Sequence, residues 1–245
     1  GEALRAASAV ALLMVFQLPM LAPFFITGEA TGPTEGVWSI VTPTLPEVGM
    51  EYWLWATPSI LINLLANFLF LRSVQLSPLS LTTPYLSFTP VFTAILGMFI
   101  YAQYPNVWGW LGIAVVCLGA FFLNPGNLES DRGPLAPLKA LWRERGSLYM
   151  LMVAVMWSVT PMLDKSASDL TGPLWHTGVL GAGVGVVFLT YTLVRDGGAA
   201  DLLGEWRERP WWLAAGSMSA IAALAIQLAS YRYTDIAYVE TIKRG

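Results

Sequence analysis

The stretch WLWATPSILINLLANFLFLRSVQLSPLSLTTP, residues 53–84, carries one charged residue, Arg72, in 32 positions. Residues 53–74 form a predominantly apolar segment, Ser77-Pro78 makes a short polar turn, and a second apolar segment opens at 81. A helix of 22 residues rises about 33 Å at 1.5 Å per residue, matching a bilayer hydrocarbon core of roughly 30 Å. Helices satisfy their own backbone hydrogen bonds in lipid, and the alternating polar pattern of a membrane β-strand is absent here. The segment therefore predicts a transmembrane helix followed, after a turn of a few residues, by an antiparallel neighbour.

The same pattern recurs along the chain. Complete spans are expected at 8–27, 53–74, 81–101, 107–124, 147–163, 174–194 and 211–230, with an eighth opening near Asp235. Composition agrees: 56% of the 245 residues are hydrophobic and 12% charged, about half the charged share of a soluble domain. The fold class is all-α, a polytopic membrane helix bundle embedded in a lipid bilayer. Residues 28–52 are rich in Gly, Pro, Thr and Glu, and 125–146 contain LAPLKALWRERG after a Gly/Pro stretch. The latter reads as a short interfacial helix, with Leu138, Leu141 and Trp142 on one side and Lys139, Arg143 and Arg145 towards water.

Several function classes drop out. A net charge of -3 and a pI near 5.1 leave no basic footprint for nucleic acid. The single cysteine, Cys117, and single histidine, His176, allow neither an internal disulfide nor a cysteine or histidine metal cluster, and no cofactor is implied. No nucleophile, base and orienting group assemble into an enzyme site. The chain opens on Gly1 and stops inside an apolar helix, which reads as a piece of a longer protein.

Laid against itself at an offset of 158, residues 53–84 run beside WWLAAGSMSAIAALAIQLASYRYTDIAYVETI, pairing Trp53 with Trp211 and Thr83 with Thr241. Each span then meets its counterpart five spans later, and an odd offset inverts the halves in the membrane. The expected organisation is a first repeat at 1–125, a linker at 126–146 and a truncated second repeat at 147–245.

FLFLRSVQLSPLSLTTPYLSFTPVFTAILGMFIYAQYPNVWGWLGIAVVCLGAFFLNP, residues 68–125, resembles the EamA-type core of the drug/metabolite transporter superfamily. The matching features are Pro78, Pro90 in a P-V-F sequence, and Gly109, Gly112 and Gly119; MWSVTPMLDKSAS resembles the opening helix of that family's second half and DIAYVETIKRG the start of its ninth helix. The resemblance implies two inverted five-helix repeats, here without the first helix and the end of the second repeat, in a multi-pass protein of the plasma or inner membrane. One position departs: the family often has a glutamate at the end of the fourth helix, where this chain has Gln103, which cannot take part in proton coupling.

Candidate site residues follow from polarity inside the spans. Lys243 and Arg244 lie eight and nine residues beyond Asp235, about 12 to 14 Å into the bilayer, where each charge costs on the order of 2.5 to 3.5 kcal/mol. Glu240 neutralises one of them; the alternatives are a structural ion pair and a substrate contact. In the sugar-phosphate branch of the superfamily a lysine on the second half's first helix and a Lys-Arg pair on the ninth hold the anion, which resembles Lys165 with Lys243 and Arg244. Asn63 and Asn67 share a helix face and either bond another helix or line a water-filled path. Trp157 and Tyr238 would dominate an aromatic pocket. His176, close to a span end, reads as interfacial, and Asp164-Lys165 as the end of the fifth span. Gly178, Gly181 and Gly185 with Ala182 form a small-residue stripe for close helix packing.

The expected function is a secondary transporter that moves a small polar or anionic metabolite by alternating access. An amino-acid or drug exporter of the same superfamily and a non-transporting membrane scaffold are the alternatives, and a homodimer is compatible with all three. Sidedness is contested: nine Lys and Arg in one set of loops against two in the other place 125–146 in the cytoplasm, whereas the family layout places it outside.

Overall fold

The computed structural model describes residues 46–122, 144–195 and 197–244, together with Leu12. Among them every regular element is helical. The expected span 8–27, Leu12 apart, and the interfacial helix expected within 125–146 lie outside the described residues up to Arg143.

Helix α1 (Met50–Leu76) runs 27 residues through Pro58. Proline is tolerated in a membrane helix because its neighbours re-satisfy the freed backbone groups. The buried positions Tyr52, Ala56, Ser59, Ala66 and Ser73 recur at helical spacing, while Leu54, Leu61, Leu65 and Phe68 are exposed, as lipid-facing residues must be. Segment 81–101 is not one continuous helix. It comprises α2 (Leu79–Thr82), a 3₁₀ turn (Thr83–Phe88) and α3 (Thr89–Ile100). Pro84 and Pro90 cause the breaks: each lacks an N–H and stands in the first turn of the element it opens. Thr83 donates its hydroxyl to the Leu79 carbonyl at 2.6 Å across the first break.

Helix α4 (Val107–Phe122) runs to the edge of the described residues. Helix α5 (Arg145–Thr171) corrects the expected 147–163: it passes through Pro161 and carries Asp164 and Lys165 in its interior. The end comes at Gly172, whose φ of 90° and ψ of 152° belong to glycine alone, and α6 (Pro173–Leu193) starts at the next residue. Pro161 cannot end the helix because the turn chemistry lies eleven residues later, at Gly172-Pro173. Residues 195–210, expected as a loop, hold a further helix, α7 (Gly198–Glu208), with Asp201 in its first turn, Arg207 in its last and Leu202 buried. Those charges complement the helix dipole, and a hydropathy scan misses so short and polar an element. Helix α8 (Pro210–Ser230) and α9 (Ile236–Arg244) complete the chain.

Among the described residues five stretches are long and apolar enough to cross a membrane: Met50–Leu76, Leu79–Ile100, Arg145–Thr171, Pro173–Leu193 and Pro210–Ser230; Val107–Gly119 is a shorter apolar helix.

The chain divides into two compact units. One comprises residues 1–64 and 163–232. Its core includes Tyr52, Ala56 and Ala167 with Val48, Trp175 and Val179 packed on them. Gly178, Gly181 and Gly185 are buried on α6, as the stripe predicts. A neighbouring glycine outside the stripe, Gly183, makes a further close approach, because a Cβ there would stand 3.0 Å from Ile60. The other unit comprises 65–162 and 233–245. One core joins Ala66, Tyr85, Leu86, Met150, Val153 and Ala154, and a second joins Ala94, Ile113 and Ala237. Gly109 packs against Tyr238, whereas a Cβ added at Gly112 or Gly119 would meet no described side chain within 4 Å.

Candidate functional site

In the unit of residues 65–162 and 233–245, α9 concentrates the charge. Its entry is fixed from α3: Ala102, with φ of 52°, reverses the chain so that the Gln103 N–H returns to the Gly97 carbonyl at 3.1 Å. The Gln103 side chain then accepts the Ile236 N–H at 3.3 Å. The amide at the position where the family often has a glutamate thus serves as a hydrogen-bond acceptor at the open N-terminus of α9. Tyr238 is held as firmly, its hydroxyl accepting the Asn106 N–H at 3.1 Å while its ring covers Gly109. Asn106 in turn caps α4 by accepting the Gly109 N–H at 2.8 Å.

One turn further, Glu240 is fully buried and Lys243 Nζ stands 3.7 Å from its Oε1. The lysine side chain is 45% exposed, so this is a loose pair with one end open. The Arg244 guanidinium lies over the Trp157 ring at 5.6 Å from its centroid, within cation–π range. Trp157 itself leans on Phe70, with ring centroids 5.8 Å apart. Of the expected site residues, Trp157 and Arg244 are therefore in contact, Lys243 sits one residue before Arg244, and Tyr238 is engaged with the start of α4. Asn67 is half-buried on α1 in the same unit.

The unit of residues 1–64 and 163–232 holds the other two. Lys165 pairs with Asp169 at 3.1 Å, one turn along α5, and is largely covered. Asn63 donates to the Ser59 carbonyl at 3.1 Å and to its hydroxyl at 3.2 Å, so it bonds within its own helix. Beside it lies a cluster that sequence reasoning passed over. His176 is completely buried, correcting its expected interfacial position. Its Nε2 is 3.0 Å from Asp164 Oδ1 and its Nδ1 is 3.1 Å from the Tyr52 hydroxyl. The Ser59 hydroxyl donates to the same Asp164 oxygen. The one-residue turn at Gly172 brings Asp164 and His176 together, and the interval Tyr52 to Ser59 is two turns of one helix face. That face, polar at 52, 59 and 63 within an apolar span, was the available signal.

A polytopic α-helical bundle whose spans expose apolar faces and bury two carboxylates and an imidazole is an integral, multi-pass membrane protein. Residues 2–124, half of the chain, match the model of the EamA-like transporter family, and the chain belongs to that family of membrane transporters. It is also similar to the probable 4-amino-4-deoxy-L-arabinose-phosphoundecaprenol flippase subunit ArnE of Proteus mirabilis (strain HI4320), with 33% identity over 87 residues, or 36% of this chain. The match covers 62% of that relative's length.

Proposed function

We propose that the protein is a secondary transporter that moves a small polar or anionic metabolite by alternating access between two inverted halves, 1–125 and 147–245, joined by the linker 126–146. The observation that carries the anion preference is the end of α9. Glu240 offsets part of the positive charge, the Lys243 side chain is 45% exposed, and Arg244 lies over an aromatic ring. Helix α9 thus carries two cations against one carboxylate in its last turns, and a guanidinium is suited to an oxyanion. In the same unit Asn67 would add a hydrogen bond, and Trp157 and Tyr238 an aromatic wall. An enzymatic role and a nucleic-acid partner have no support in this reading, and a homodimer is compatible with it.

The similarity to a flippase subunit favours one variant, in which the anion is a phosphate carried on a lipid and the protein works beside a second subunit. A dissolved metabolite and a lipid-linked phosphate share the same chemistry at Lys243 and Arg244. Vesicles containing the full-length protein, screened for uptake of phosphorylated sugars, organic acids and amino acids and for flipping of a polyprenyl-phosphate sugar, separate them. Transport of any of these supports a transporter, and a dry, inactive bundle supports a scaffold.

A further inference from the structure

We infer that the Tyr52–Ser59–Asp164–His176 cluster is a one-proton binding site that couples transport to a proton gradient. The four side chains come from three helices, α1, α5 and α6, all of which belong to membrane-length segments. Each is at least nine-tenths buried: Tyr52 1%, Ser59 0%, Asp164 4% and His176 0% exposed. Ionisable groups are expensive in such a setting and are retained where their charge is used.

The hydrogen bonds leave room for one exchangeable proton. With a neutral ring, His176 Nε2–H donates to Asp164, the Tyr52 O–H donates to Nδ1, and the cluster carries one negative charge on the carboxylate. A proton arriving from water binds Nδ1. The Tyr52 hydroxyl then turns to accept from the new N–H, and an imidazolium faces a carboxylate with no net charge. Release to water on the other side restores the first state, so one proton enters and one leaves. Of the charged residues beside the cluster in sequence, Glu51 is exposed and Lys165 pairs with Asp169 at 3.1 Å, while His176 is the charged-capable residue of α6 that meets the other two helices.

Two readouts test the inference, and the coupling half rests on the transporter reading above. The full-length protein is labelled with ¹⁵N-histidine in lipid nanodiscs, the His176 signals being those absent from His176→Gln. As protons are added the ring is expected to pass from one to two bound protons, whereas Asp164→Asn keeps the singly protonated ring over the same range. A wild-type ring that never changes state, or an Asp164→Asn ring that behaves as wild type, overturns the proton site. In proteoliposomes, using whichever compound the uptake screen identifies, a gradient of about one pH unit should sustain an about tenfold concentration ratio at one proton per substrate. Asp164→Asn is expected to exchange substrate but to lose that ratio. Retention of the ratio overturns the coupling. If the wild type moves no compound, the transporter reading fails, and the histidine spectra alone decide whether the proton site exists.

Discussion

Replacing Gly172 with alanine isolates the cost of the α5–α6 turn. At φ 90° and ψ 152° the residue occupies backbone space that is essentially glycine-only, worth about 1–3 kcal/mol of strain for an L side chain. No described atom lies within 4 Å of the added Cβ, so steric clash contributes nothing. Alanine also restricts the unfolded chain, which offsets about 0.4–1 kcal/mol. The net expectation is a loss of roughly 1–2 kcal/mol on those two terms. Relaxation to another φ is blocked because the residue's N–H bonds the Ser168 carbonyl at 2.7 Å and its carbonyl accepts the His176 N–H at 3.2 Å. Gly112→Ala provides the control: its Cβ also meets open space, but inside a helix, so alanine should stabilise by up to about 1 kcal/mol. Equilibrium unfolding of the purified protein in mixed detergent micelles reads both. A Gly172→Ala protein as stable as wild type, or less perturbed than Gly112→Ala, would refute the reasoning.

Ala102→Gly should stabilise the protein by up to about 1 kcal/mol, because a left-handed residue loses its Cβ conflict, and the same unfolding assay checks it. Gly109→Ala should cost about 1–3 kcal/mol as Tyr238, whose hydroxyl would be 2.7 Å from the new methyl, swings off and releases Asn106; adding Tyr238→Ala should remove most of the penalty attributable to that clash. Gly198→Ala drives a Cβ into the Thr192 carbonyl, a backbone atom that cannot step aside, and should reduce stability by about 3 kcal/mol or more. On sidedness, the loop charge count predicts that Ser130→Cys is labelled by impermeant reagents only from the cytoplasmic face; labelling from outside in intact cells would reverse that.

The helices were legible wherever hydropathy and length coincide: 53–74, 174–194 and 211–230 each match an observed helix to within three residues at either end. Failures came where polar groups pair out of sight of hydropathy. Asp164 and Lys165 look like a helix end when counted alone, yet Ser59 and His176 satisfy the aspartate from neighbouring helices, so the helix can continue to Thr171. His176 reads as interfacial for the same reason, since a one-dimensional scan cannot distinguish a histidine facing headgroups from one enclosed by Tyr52 and Asp164. The two prolines of 81–101 were visible, but the 3₁₀ turn between them depends on local hydrogen bonding such as Thr83 to Leu79. At the candidate site, the Glu240–Lys243 pairing follows from i, i+3 spacing and was readable, whereas the stacking of Arg244 on Trp157 joins residues 87 apart and needed the fold.

The central claim, that α9 presents an anion site of a transporter, is tested most directly by uptake of a phosphorylated sugar into proteoliposomes containing equal amounts of folded wild-type or Lys243→Ala protein. A hydrogen bond to a charged group is worth about 1.5–3 kcal/mol, so losing it should lower uptake efficiency by about tenfold or more. Because the lysine side chain is 45% exposed and its partner distance is 3.7 Å, thermal stability should fall by less than the roughly 3–5 kcal/mol that breaking a fully buried pair costs. Unchanged uptake by Lys243→Ala would contradict the account. So would a strongly destabilised Lys243→Ala whose stability and transport are both rescued by exchanging the charges, Glu240→Lys with Lys243→Glu, because a structural pair survives that swap and an anion site does not.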